Sequence, residues 1–216
     1  MSAYRVRAAV EADAAAICEI YNQGIEDRLA TLETERRTPE ERRQWLKSRA
    51  PRHPVVVAET TEPDTISNGP PTAQAGATQP DTISNRPPAA QAGATQPETI
   101  SNRPPTAQAG LAAPATIGWG SLNPYNPREA YRHVADFSIY VERAYRGRGV
   151  GKLLLTRLIE LARELGYHKL VLSAFPFNAA GMALYERLGF RTVGIYKEQG
   201  LLDGRWVDTI VMEKLL

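Results

Sequence analysis

The chain is poor in several things that would decide its class. Of 216 residues one is cysteine, Cys18, which excludes an internal disulfide and a cysteine-based zinc site. Cys18 stands between Ile17 and Glu19 in a helical apolar pattern, the setting of an inert buried thiol rather than a nucleophile, and a reducing, cytoplasmic compartment fits that usage. No apolar run approaches the ~20 residues that span a bilayer, and the opening MSAYRVRAAVEAD lacks the apolar core of a signal peptide. Charge of one sign is also scarce. Twenty-six lysines and arginines against 24 acids leave +2, interspersed along the chain, so neither nucleic acid nor an anionic membrane is indicated as a partner. Three histidines, His53, His133 and His168, stand without partners at metal-ligand spacing, and no metal site is expected.

What is present begins with a repeat. PDTISNGPPTAQAGATQ, PDTISNRPPAAQAGATQ and PETISNRPPTAQAGLAA occupy 63–79, 80–96 and 97–113 head to tail. Each copy has a Pro-Pro pair, no aromatic and only isolated aliphatics, too little apolar surface to offset the entropy of ordering it. A disordered, partly polyproline-like loop is expected at 63–113, not a solenoid. The strand-like VVVAE (55–59) precedes it and TIGWGSL (116–122) follows, as in a hairpin whose turn has been inflated. Growth of a flexible turn from about 5 to about 55 residues costs only ~2 kcal/mol of closure entropy, tolerable against a typical stability of ~5–15 kcal/mol. The remainder reads as a single α/β domain over 1–216. It has a strand at 4–8, helices at 11–29 and from Thr38, the two hairpin strands, a strand at 135–141, and a helix to about 165. A strand at 168–174, a short helix from Asn178 to Leu188 and two closing strands complete it. Thr38-Pro39-Glu40-Glu41 carries a helix-opening capping box with proline in the first turn.

The densest signal is YRGRGVGKLLL (145–155), where glycines, arginines and a helix start coincide. Glycines let a backbone approach phosphates closely, and the following helix contributes about half a positive charge at its N-terminus. A Walker loop fails because Leu153 stands where a magnesium-holding hydroxyl is needed, and a Rossmann fingerprint fails because the spacing is G-x-G-x-G. The pattern R/Q-x-x-G-x-G/A is met by Arg146, Gly149 and Gly151.

With the IYN of 20–22, TLETE (31–35), AYRH (130–133), ALYERLGF (183–190) and GRW (204–206), this turn makes 4–59 and 115–216 resemble the GNAT superfamily of N-acetyltransferases, and within it the phosphinothricin and arsinothricin N-acetyltransferase branch. The resemblance implies a mixed, mostly antiparallel twisted sheet flanked by helices. It also implies acetyl-CoA as co-substrate, direct attack by a small-molecule amine in a ternary complex, a role in herbicide or antibiotic resistance, and leaves a homodimer open. Coenzyme contacts fall on Ile139, Tyr140 and Val141, on Arg146, Gly147, Arg148, Gly149, Val150, Gly151 and Lys152, and on Asn178, with the Val141 N–H as a donor to the thioester oxygen. The branch places a basic glutamate at the position of Asp136; one methylene less withdraws the carboxylate by roughly 1.5 Å, so a bridging water is expected. Tyr185 matches a superfamily proton donor to the departing thiolate, where the herbicide-detoxifying relatives have histidine. Arg128 and Tyr131 match acceptor contacts, Arg128 as a bidentate partner for an acidic side chain. A lysine of the branch is Asn126 here, and an aromatic is Leu32. Phosphinothricin, arsinothricin or methionine sulfoximine is the expected acceptor; a peptide N-terminal acetyltransferase and a catalytically silent coenzyme-binding module with a repeat docking loop are the alternatives.

Overall fold

The computed structural model describes residues 3–61 and 114–216, and the repeats at 63–113, with their expected disorder, lie outside them. Seven strands form one sheet: β1 (Tyr4–Ala8), β2 (Val55–Thr60), β3 (Thr116–Pro124), β4 (Val134–Val141), β5 (Lys169–Ala174), β6 (Arg191–Leu202) and β7 (Arg205–Leu215), in the order β1-β2-β3-β4-β5-β7-β6. Neighbours are antiparallel except β4 and β5, which run parallel. That parallel ladder is short. It joins Val134, Ala135 and Asp136 to Lys169, Leu170 and Val171, after which the two strands continue without pairing and a gap opens in the middle of the sheet.

The helices α1 (Ala14–Glu26) and α2 (Pro39–Lys47) cover one face, and α3 (Val150–Glu164) covers the other as the crossover between β4 and β5. The amphipathic stripe of α3 buries Val150, Leu154, Leu155, Leu158, Ile159 and Ala162 against Val56, Ala58, Ile117 and Leu122 of the sheet. Truncating a fully buried leucine of that stripe to alanine is worth ~2–5 kcal/mol. The helix lies close because β3 presents glycines beneath it: a Cβ on Gly120 would stand 2.9 Å from the Leu158 side chain. On the opposite face Ile17, Ile20, Tyr21 and Ile25 pack on Val55, Val57 and Trp119. No helix among the described residues is long and apolar enough to cross a membrane.

The expected helix over 11–29 is shorter at both ends. It opens as a single 3-10 turn, Glu11–Asp13, because the Asp13 carboxylate turns back to accept the Val10 N–H at 2.8 Å while holding Arg7 at 2.7 and 2.8 Å. It ends at Glu26 because Arg28 adopts a φ of 55°, its guanidinium donating to the Ile25 carbonyl and pairing with Asp203 of the β6–β7 turn at 3.0 Å. The capping box of α2 is present as read: Thr38 Oγ1 accepts from the Glu41 N–H, and Glu41 accepts from the Thr38 N–H at 2.6 Å.

The hairpin of β2 and β3 is pinned at the root from which the repeats depart. Glu59, 2% exposed, pairs with both Arg5 and Arg7, Arg7 with Asp13, and Thr116 donates to Asp13 at 3.3 Å. Thr60 closes the root by donating its N–H to the Ala115 carbonyl.

Candidate active site

From the end of β4 the chain makes one 3-10 turn, Arg143–Tyr145, and then the glycine segment that opens α3. Gly147 and Gly149 have φ of 74° and 88°, the left-handed region where a side chain is strained, and a Cβ at either would meet nothing within 4 Å. Conformation therefore requires glycine here, and the bare backbone it leaves faces open space. Above it stand the first N–H groups of α3, which have no preceding helical carbonyl. Arg148 and Lys152 are exposed beside them, Arg148 lying 5.4 Å from the Tyr145 ring.

Arg146 behaves differently from the sequence expectation. Its guanidinium donates to the Val141 carbonyl at 2.9 Å and pairs with Asp27 at 2.5 Å, and Asp27 also holds Arg143 at 2.7 Å. It braces the turn against the end of α1. Asn178 caps α4 (Ala179–Arg187), its Oδ1 accepting the Gly181 N–H at 3.0 Å.

Strand parity sorts the β4 residues. The Glu142 N–H donates to the Ile117 carbonyl of β3, so the even-numbered members of β4 direct their amides to β3 and the odd-numbered ones direct theirs to the gap. Ile139 and Val141 thus offer main-chain groups to the gap; Tyr140, expected with them, does not. Its side chain lies on the α1 face instead, stacked on Trp119 at 5.0 Å and edge-on to Tyr21 at 4.8 Å. Gly24 of α1 makes room for it, since a Cβ there would be 2.8 Å from the ring. Burial raises the Tyr140 hydroxyl well above the ordinary tyrosine range, against a hydrogen bond with Thr31.

Asp136 is the last β4 residue in the parallel ladder and shares the α1 face with Ser138 and Tyr140. Burial pushes its carboxyl up to about 6, opposed by the Phe137 N–H, which donates to Oδ1 at 2.5 Å. Tyr185 of α4 stands across the gap with its ring 6.0 Å from that of Phe137; burial and then the Asp136 charge push its hydroxyl up to about 12. The two residues singled out for proton transfer thus lie within electrostatic reach of each other.

On the α1 face is a cleft of about 190 Å³, whose lining includes neither Asp136 nor Tyr185. Ala30, Leu32, Ala174 and Phe175 give it apolar walls, and Thr31, Ser173 and Thr209 give it hydroxyls. Leu32 is the one expected acceptor residue that lines it. Arg128 and Tyr131 are exposed on the β3–β4 connection, where Tyr131 packs edge-on to Tyr125 at 5.7 Å. Ser173 and Thr209 escaped the sequence reading, and Thr31 entered it only as the first residue of TLETE. The available signal was two hydroxyls, in LVLSA and VDTIVM, interrupting otherwise aliphatic strand runs.

Residues 88–190 match the Acetyltransferase (GNAT) family. A phosphinothricin N-acetyltransferase of Streptomyces coelicolor is 27% identical over 212 residues, 98% of this chain and 96% of that protein. An L-methionine sulfoximine/L-methionine sulfone acetyltransferase of Pseudomonas aeruginosa is 38% identical over 97 residues, 45% of this chain; the match spans 56% of that relative's length. A Salmonella typhimurium protein solved with its cofactor acetyl-CoA superposes with a TM-score of 0.72 at 26% identity, covering 100% of this chain and 95% of that one.

Proposed function

We propose that the chain, whose residues 88–190 match the GNAT acetyltransferase family, acetylates the α-amino group of a small amino acid bearing a tetrahedral oxo side chain, of the phosphinothricin, arsinothricin or methionine sulfoximine type, by direct attack in a ternary complex. Acetyl-CoA fits the residues present. The open left-handed glycines at 147 and 149 leave a cradle that a Cβ would fill, and the main-chain groups of Ile139 and the N–H of Val141 face the gap between β4 and β5. When bound, it supplies an activated thioester carbonyl. Backbone N–H groups of Gly147–Gly151 and the α3 N-terminus would hold its phosphates, and Arg148 and Lys152 would add charge at the rim. Ile139 and Val141 would orient the pantetheine arm, and the Val141 N–H would donate to the carbonyl oxygen.

The observation that carries the reading is a buried carboxyl at Asp136, in the last rung before the gap, with the Tyr185 ring packed on the neighbouring Phe137. An ordinary α-amino group is mostly protonated at neutral pH, so attack requires a base. With its carboxyl near 6, Asp136 is ionised above that pH and basic enough to take the proton through a bridging water. Tyr185, near 12, keeps its proton and can give it to the leaving sulfur. Among the described residues no cluster of acids, histidine and cysteine is arranged to hold a metal ion.

Free-thiol release from acetyl-CoA, measured across phosphinothricin, arsinothricin, methionine sulfoximine, the ordinary amino acids and a peptide, tests the proposal. Release with the small oxo amino acids is expected. Turnover on the peptide alone, or on none of them, overturns it.

A further inference from the structure

One buried hydroxyl in the acceptor cleft has no internal use. Thr209 sits on β7 opposite Tyr196 of β6 and is 5% exposed, yet its Oγ1 has no hydrogen-bond partner among the described residues. A hydroxyl taken out of water without a partner destabilises the fold, and valine would fill the same volume on the same strand without that penalty. Of the other two hydroxyls on the cleft wall, Thr31 is engaged with Tyr21 and Tyr140, and Ser173 is exposed to water. Thr209 is the one left with unused bonding capacity, on a residue that lines the cleft.

The remainder of the lining says what it meets. Ala30, Leu32, Ala174 and Phe175 suit a methyl or methylene group, and none of the seven lining residues is charged. Arg128, the cation expected to hold an acidic side chain, lies exposed on the β3–β4 connection and is not among them. An anion entering such a cleft loses water without gaining a countercharge, whereas a neutral S=O group loses little and accepts a hydrogen bond.

We propose that Thr209 is a specificity-determining residue whose hydroxyl donates a hydrogen bond to an uncharged oxo oxygen of the acceptor side chain, selecting a sulfone or sulfoximine over an anionic phosphinate or arsinate. The proposal rests on the transferase reading above and narrows its substrate class.

The test compares kcat/KM for methionine sulfone, methionine and phosphinothricin in the native protein, Thr209→Val and Thr209→Ser, with melting temperatures for all three proteins. The native protein is expected to favour the sulfone over methionine by about 10- to 100-fold, and over phosphinothricin as well. In Thr209→Val the sulfone-to-methionine ratio falls toward one while the melting temperature holds or rises; Thr209→Ser keeps the ratio. A ratio unchanged in Thr209→Val, a native preference for phosphinothricin, or a fall in both acceptors together with a lowered melting temperature overturns the role of Thr209 and leaves the transferase reading standing. Thiol release from none of the acceptors overturns both.

Discussion

The proposed coenzyme side, around the glycine turn, and the proposed acceptor side, at the α1-face cleft, are made of different material. Around the glycine turn the contacts offered are main-chain groups: N–H donors at the start of α3, bare backbone at Gly147 and Gly149, the gap-facing amides of Ile139 and Val141. Across the sheet the cleft is made of side chains delivered by three separate segments, the 30–32 turn after α1, the end of β5 and the middle of β7. Backbone geometry survives most substitutions, so one side can stay constant while the other is retuned. Asp136 lies at the seam, on the acceptor face but in the last rung that holds β4 to β5.

Disturbing the seam should have the largest effect. Asp136→Asn is expected to lower kcat/KM about 100-fold or more while calorimetry shows CoA affinity within about two-fold of native, and Asp136→Glu is expected to retain activity. The native pH profile of kcat/KM should rise through about pH 6, the folded value of the Asp136 carboxyl. Stability runs the other way. Because that carboxyl is raised by burial, the folded protein binds more protons than the unfolded chain between about pH 4 and 6, and the contribution present below that window is lost across it. Asp136→Asn should therefore be the more stable protein at pH 8, by about 1–3 kcal/mol, with no advantage at pH 3.5. Denaturant titrations at the two pH values check this.

Gly149→Ala should come next. The methyl has room, but φ at 88° strains it and it intrudes on the open backbone, so CoA should bind about 10-fold more weakly, with the acceptor KM little changed. The smallest effect is expected from Gly200→Ala on β6. Its methyl would stand 2.5 Å from Leu32 Cδ2, and Leu32, 40% exposed, can swing outward. The acceptor KM should change about three-fold and the CoA affinity not at all. An effect on CoA binding as large as that of Gly149→Ala would dissolve the division between the two sides.

The same division explains what could be read in advance. The glycine turn, the α3 stripe and the Thr38–Glu41 cap are local patterns, written in consecutive residues, whereas the mixed, mostly antiparallel sheet followed from the family resemblance. Asp136 was legible only through the resemblance, as the position where the branch places a glutamate. What was not legible depends on meetings across long separations. Arg146 sits within the phosphate motif, yet Asp27, far earlier in the chain, takes its guanidinium. Tyr140 lies between two gap-facing residues, but whether its amide joins them depends on which neighbour the strand pairs with, a fact fixed by β3. Thr209 looks like an ordinary β-branched strand residue until its hydroxyl is found without a partner.

The Arg5, Arg7, Asp13, Glu59 and Thr116 cluster has a practical corollary. Because strand order is locked on the near side of residue 61 and the far side of residue 114, whatever polypeptide connects them is released from any duty to align the two strands.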